Sequence, residues 1–136
     1  MRATYKTPVI DSEIFFYYTG TEVSKNVVLD VSSISADTSI DGTSRYILKA
    51  GTLLQKSTLG TVANPLYRKF NNTGKVEGVL ALDVEVPSPA AGNTAAGMFF
   101  NNLNLDGSKI VDYSTYGTNA ASTFKADGLN VQFLVP

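Results

Sequence analysis

The sequence predicts a mostly β protein: a small β-sandwich or barrel-like body with one short helix near the C-terminus and an extended N-terminal segment. Three observations predict it. Apolar and polar residues alternate in several runs, the period-2 pattern of a strand with one buried side. Between the runs stand Asp41-Gly42, Asn72-Thr73-Gly74, Asp106-Gly107 and Asp127-Gly128, residues that tolerate the positive φ of tight turns. Helical spacing is confined to a single stretch.

Residues 1–44 have a texture of their own. They are rich in Ser and Thr, and "DVSSISADTSIDGTS" holds few large apolar groups. The same region contains a dense aromatic run, Ile14, Phe15, Phe16, Tyr17 and Tyr18. A segment apolar on both faces has to be covered on both, by its own domain or by another chain. The run therefore reads either as an internal core strand or as an arm that docks on a partner. The chain divides on this texture into an N-terminal arm or strand region, 1–44, and a β-rich body, 45–136.

The strands follow from their stripes. In "NVVLDV", Val27, Leu29 and Val31 share a face. In "VLALDVEV" the stripe is Leu80, Leu82, Val84 and Val86, and in "LNVQFLV" it is Leu129, Val131, Phe133 and Val135. Leu82, Val84, Val131 and Phe133 are expected in the core. The helix falls on "NAASTFKAD", with Asn119 as its cap, the good helix formers Ala120, Ala121 and Lys125 inside it, and Gly128 to stop it.

A chain of 136 residues is one domain's worth, and a body of that size buries roughly two-thirds of the surface its unfolded chain exposes. It contains no cysteine and no histidine. Disulfides, thiolate nucleophiles, imidazole bases and the usual zinc ligands are thereby excluded. Eleven basic and twelve acidic residues leave a net charge of −1, which builds no field for nucleic acid. Asp11 and Glu13 interrupt the N-terminus before an apolar stretch of signal-peptide length develops, and no apolar run approaches the roughly 20 residues that span a bilayer.

Several motifs resemble reaction centres. Asp83 and Glu85, at i and i+2 on a strand, point to one side about 7 Å apart, a separation used in glycoside hydrolysis. Their side is opposite the apolar stripe, so both are expected to be hydrated, without the burial that raises the pKa of a general acid. They are expected to be exposed and dispensable for folding. "NLNLDGSKIVDY" mimics a calcium loop, but Asn102 stands where the first carboxylate belongs and Tyr113 where a bidentate Glu belongs, leaving a turn at Asp106-Gly107. "GTLLQKSTLG" lacks the residue order of a phosphate-binding loop. Asn71-Asn72-Thr73 is a glycosylation sequon without an accompanying secretion signal. Arg68 and Lys69, between Tyr67 and Phe70, read as cations solvating a strand face.

From Arg45 onward the order of features resembles the lambda-type head-decoration, or capsid cement, proteins of tailed bacteriophages. The resemblance rests on "YILKAGTLLQKSTLG", "ANPLYRKF", "GVLALDVEV", a Pro/Ala/Gly/Asn-rich link, "AAGMFFNNLNL" and "STFKADGLNVQFLV", about two-thirds of the chain. It implies a small β-rich structural protein of the virion, with no enzymatic activity and no cofactor. Such a protein is a homotrimer on the outer surface of the capsid, assembled in the host cytoplasm, and it binds the major capsid protein, with no contact to nucleic acid or membrane. Residues 1–44 have no counterpart in that pattern. Docking is expected through Ile14, Phe15, Phe16, Tyr17 and Tyr18, as a strand added to an exposed sheet edge of the shell. The alternative reading is a carbohydrate-binding or virion adhesion module, with Tyr113 and Tyr116 as stacking groups.

Overall fold

The structure is a computed structural model and describes residues 16, 20–32, 34, 36–37, 45–89, 92–111 and 130–134. Among these, the strands in chain order are β1 (Val23–Leu29), β2 (Ala36–Asp37), β3 (Arg45–Leu48), β4 (Leu53–Lys56), β5 (Tyr67–Lys69), β6 (Val76–Leu80), β7 (Val84–Val86), β8 (Thr94–Asn101), β9 (Leu103–Asp106) and β10 (Val131–Leu134). A single turn of 3-10 helix, Gly107–Lys109, follows β9.

Five strands close into a barrel in the order β1, β5, β4, β6, β8 and back to β1. Neighbours are antiparallel except β1 and β5, which run parallel and meet at Leu29 and Tyr67. Closure leaves these strands no free edge to recruit another chain. Two smaller sheets complete the described structure, β2-β3-β7 and the parallel pair β9-β10. The mostly β, barrel-like expectation holds. The helix expected over 119–127 and the turns at Asp41-Gly42 and Asp127-Gly128 lie outside the described residues.

The first strand of the barrel comes from the first 44 residues. β1 pairs with β8 along its whole length, from Val23 opposite Asn101 to Leu29 opposite Thr94. Val27, Leu29 and Val31 are buried on one face, as their alternation predicts. β1, which comes from residues 1–44, is thus one of the five strands of the barrel. Composition averaged over 1–44 conceals this apolar strand, because the Ser/Thr-rich texture sets in only after it.

Two apolar clusters share the wall formed by β4 and β6. The barrel interior is filled by Val27, Leu29, Leu54, Tyr67, Leu80 and Met98, so that every barrel strand contributes. On the other side, Leu53, Val76 and Val79 pack with Phe70, Leu103, Leu105 and Ile110, and Val131 and Phe133 of β10 lie half-buried against them. β4 is thus apolar on both faces, which is why "GTLLQ" does not alternate.

One core expectation is corrected. Leu82 is 75 % exposed. The stripe Leu80, Leu82, Val84, Val86 assumes one unbroken strand, but β6 ends at Leu80 and β7 begins at Val84. Between them the chain leaves the barrel and joins β3, where Val84 faces Leu48 and Val86 faces Tyr46. Alternation does not carry across such a break, so Leu80 and Val86 are buried, Val84 is half-buried and Leu82 is outside. A second break is marked by Asn102, whose φ of 55° turns the chain from β8 into β9. Asn tolerates that left-handed conformation better than most residues.

Candidate functional site

Asp83 and Glu85 stand in different surroundings. Glu85, on β7, is exposed as expected and takes both Nε and Nη2 of Arg45 on its two carboxylate oxygens, the former at 2.7 Å. Asp83 precedes the strand, is half-buried, and its Oδ1 accepts the backbone N–H of Ala50. The exposed carboxylate expected at 83 is therefore corrected to a half-buried, hydrogen-bonded one. It pins the turn at 49–52, where Thr52 N–H and hydroxyl both donate to the Lys49 carbonyl. The partners shown differ, Arg45 for Glu85 and the Ala50 N–H for Asp83.

The most enclosed charged side chain among the described residues lies outside the motifs above. Asp30 sits at the end of β1, almost fully buried. Its Oδ1 accepts the N–H and the hydroxyl of Ser32, at 3.0 and 2.6 Å, and its Oδ2 accepts the hydroxyl of Ser57 at 2.8 Å. Its own N–H donates to the Tyr67 carbonyl at 2.7 Å. Burial alone raises the carboxyl pKa. The hydrogen bonds from the Ser32 side chain, the Ser32 backbone and the Ser57 side chain, with the positive charge of Arg68, outweigh burial and hold it below the usual carboxylate range. The carboxylate clamps the end of β1 to the residue after β4, and the backbone N–H of the same residue ties it to β5. Its sequence signal was Asp-x-Ser at the end of an apolar stripe, the spacing of an Asx turn.

Among the described residues the remaining motifs are also local structure. The turn expected at Asp106-Gly107 is the 3-10 turn, capped by Asp106 Oδ1, which accepts the Ser108 N–H at 3.0 Å and its hydroxyl at 2.7 Å. Asn71 of the sequon accepts the N–H and hydroxyl of Thr73 in the exposed β5–β6 loop, where Asn72 takes a φ of 70°. Arg68 and Lys69 lie half-buried on β5. Lys25 Nζ stands 5.1 Å from the ring centre of Phe100 and 5.8 Å from that of Tyr67, within cation–π range. No group of three or more Asp or Glu among the described residues is placed to hold a metal ion, and no buried side-chain nitrogen or oxygen there lacks a partner. No described helix is long and apolar enough to cross a membrane.

Of the aromatic run, Phe16 is described. It forms an antiparallel bridge to Leu105, and its ring centre lies 4.9 Å from that of Phe99, tilted by 50°. It is half-buried against the cluster of Leu53, Phe70 and Leu105. Ile14, Phe15, Tyr17 and Tyr18 lie outside the described residues, as do Tyr113 and Tyr116. No family model, curated protein or solved structure matches this chain.

Proposed function

We propose that the protein is a structural component of a virion that decorates and stabilises the outside of a tailed-phage capsid, binding the major capsid protein as a homotrimer. The observation that carries this reading is the order of the segments that resemble the lambda-type decoration proteins, together with the single body into which they fold. Gly51-Thr52 opens β4, "ANPLYRKF" carries β5, "GVLALDVEV" runs from β6 into β7, "AAGMFFNNLNL" supplies β8 and β9, and the last segment supplies β10.

Docking through Ile14, Phe15, Phe16, Tyr17 and Tyr18 is part of the proposal. Phe16 is engaged by the protein's own Phe99 and Leu105. Phe15 and Tyr17, its neighbours in sequence, are the proposed anchors on the shell. The test is to add purified protein to expanded capsids that lack their native decoration protein. The full chain should coat them with little loss in moderate salt, since the anchors are apolar. Phe15→Ser with Tyr17→Ser should coat them poorly while remaining folded. A full chain that does not bind contradicts the function, and a double variant that coats normally contradicts the docking site.

A further inference from the structure

The sequence contains three Asp-Gly pairs, at 41–42, 106–107 and 127–128, and of these Asp106-Gly107 lies in the described structure. An Asp-Gly pair is chemically weak in an open chain. Glycine has no Cβ to shield its nitrogen or restrict its backbone, so that nitrogen can attack the aspartyl Cγ. The N–Cγ bond forms as the C–OH bond breaks, the amide proton and the hydroxyl leave as water, and a five-membered succinimide results. Water then reopens the ring at either carbonyl. Opening at the former main-chain carbonyl leaves the chain running through Cγ, an isoaspartyl linkage with one more methylene in the backbone.

Ring closure makes a geometric demand. The Cβ of Asp106 and the nitrogen of Gly107 must come close to eclipsed about the Cα–C bond, because both become ring members with Cγ between them. Asp106 has φ −86° and ψ 106°, an extended conformation that swings the two well apart. Its surroundings hold it there. Asp106 is the last residue of β9 and stands opposite Leu134 of β10. Its Oδ1 accepts the N–H and the hydroxyl of Ser108, at 3.0 and 2.7 Å, which directs the carboxyl group past Gly107 to the residue beyond. Gly107 is itself buried, at the start of the 3-10 turn.

Bringing Cγ onto the Gly107 nitrogen therefore requires ψ to leave the extended region. That takes Asp106 out of register with Leu134 and undoes the turn. Leu105, one residue back, is fully buried in the cluster of Leu53, Phe70 and Ile110, so the end of β9 cannot swing without disturbing that cluster as well.

We propose that Asp106-Gly107 is a latent isoaspartyl site, kept closed by the fold and able to react only when the junction of β9 with the 3-10 turn opens. The rate in the folded protein is then the open-chain rate multiplied by the small fraction of time the junction is open. Asp106 and Ser108, which cap the turn, thereby preserve the backbone where β9 is paired. The gate acts whatever the chain binds, so it stands apart from the capsid reading.

Asp106→Asn is the probe. An amide carbon is attacked more readily than a carboxylate, with ammonia leaving in place of water, and the amide oxygen can still accept the Ser108 N–H. The substitution creates the only Asn-Gly pair in the chain. Deamidation at residue 106 is followed by mass spectrometry at neutral pH in the folded variant, in the same variant in denaturing urea, and in a synthetic peptide covering 101–111. The folded variant should react at least about tenfold more slowly than the other two. The wild type, which needs no substitution to fold, is aged alongside, and isoaspartate at 106 should form at least about tenfold faster in urea than in buffer. Equal rates in the folded and unfolded wild type, or in a folded variant and its peptide, would overturn the proposal.

Discussion

The Ser57 hydroxyl donates to Asp30 Oδ2 at 2.8 Å, across 27 residues of sequence, and ties the end of β1 to the first residue of the β4–β5 loop. The carboxylate is held below the usual range, so its contribution is fully present above the unfolded-chain value of about 3.9 and is lost as pH falls through the lower folded value. Asp30→Asn should cost about 1–3 kcal/mol at neutral pH, because the Ser32 donors and the buried Ser57 hydroxyl lose a charged acceptor. Denaturant melts at several pH values check this. The gap between wild type and variant should narrow as pH falls below about 4.

Leu80 and Leu82 belong to one apparent stripe, yet Leu80 is fully buried and Leu82 is not. Leu80→Ala should cost about 2–5 kcal/mol. Leu82→Ala in the dilute monomer should change stability by less than about 0.5 kcal/mol. Urea unfolding of the two variants side by side measures the difference, and similar losses would restore the unbroken strand.

Gly78, on β6, lies hard against β8. A Cβ there would sit 2.5 Å from both Met98 Cγ and the Phe99 carbonyl oxygen. The methionine side chain can yield but the backbone oxygen cannot, so Gly78→Ala should destabilise by about 1–3 kcal/mol through overpacking. Gly97→Ala, which meets only a 3.5 Å contact, is the control and should melt close to the parent.

Asp83 and Glu85 should separate in the same assay. Asp83→Ala leaves the Ala50 N–H without its acceptor, at a cost of about 1–3 kcal/mol. Glu85→Ala breaks a partly exposed pair with Arg45 and should cost no more than about 1 kcal/mol.

The contrast between these residues shows what was legible in the sequence. Alternation located β1 and β10 and the β character of the whole, because period 2 is imposed by burial of one face. It placed Leu82 inside because periodicity cannot register a strand that changes sheets, and it placed Asp83 in water for the same reason. The role of Asp30 was only half legible, because its bonds from Ser32 are local but its link to Ser57 joins residues distant in sequence. β8 was partly concealed too. Its start, Thr94 to Gly97, is made of small residues of low strand propensity, and its pairing with β1 and β6 is tertiary.

The capsid reading is tested most directly by cryo-electron microscopy of intact particles from the source that encodes this chain. The account predicts density on the outer face of the shell into which the five-stranded barrel fits, in repeated copies that touch the major capsid protein. Particles with a bare outer shell, from which the chain is also absent by mass spectrometry, would contradict it.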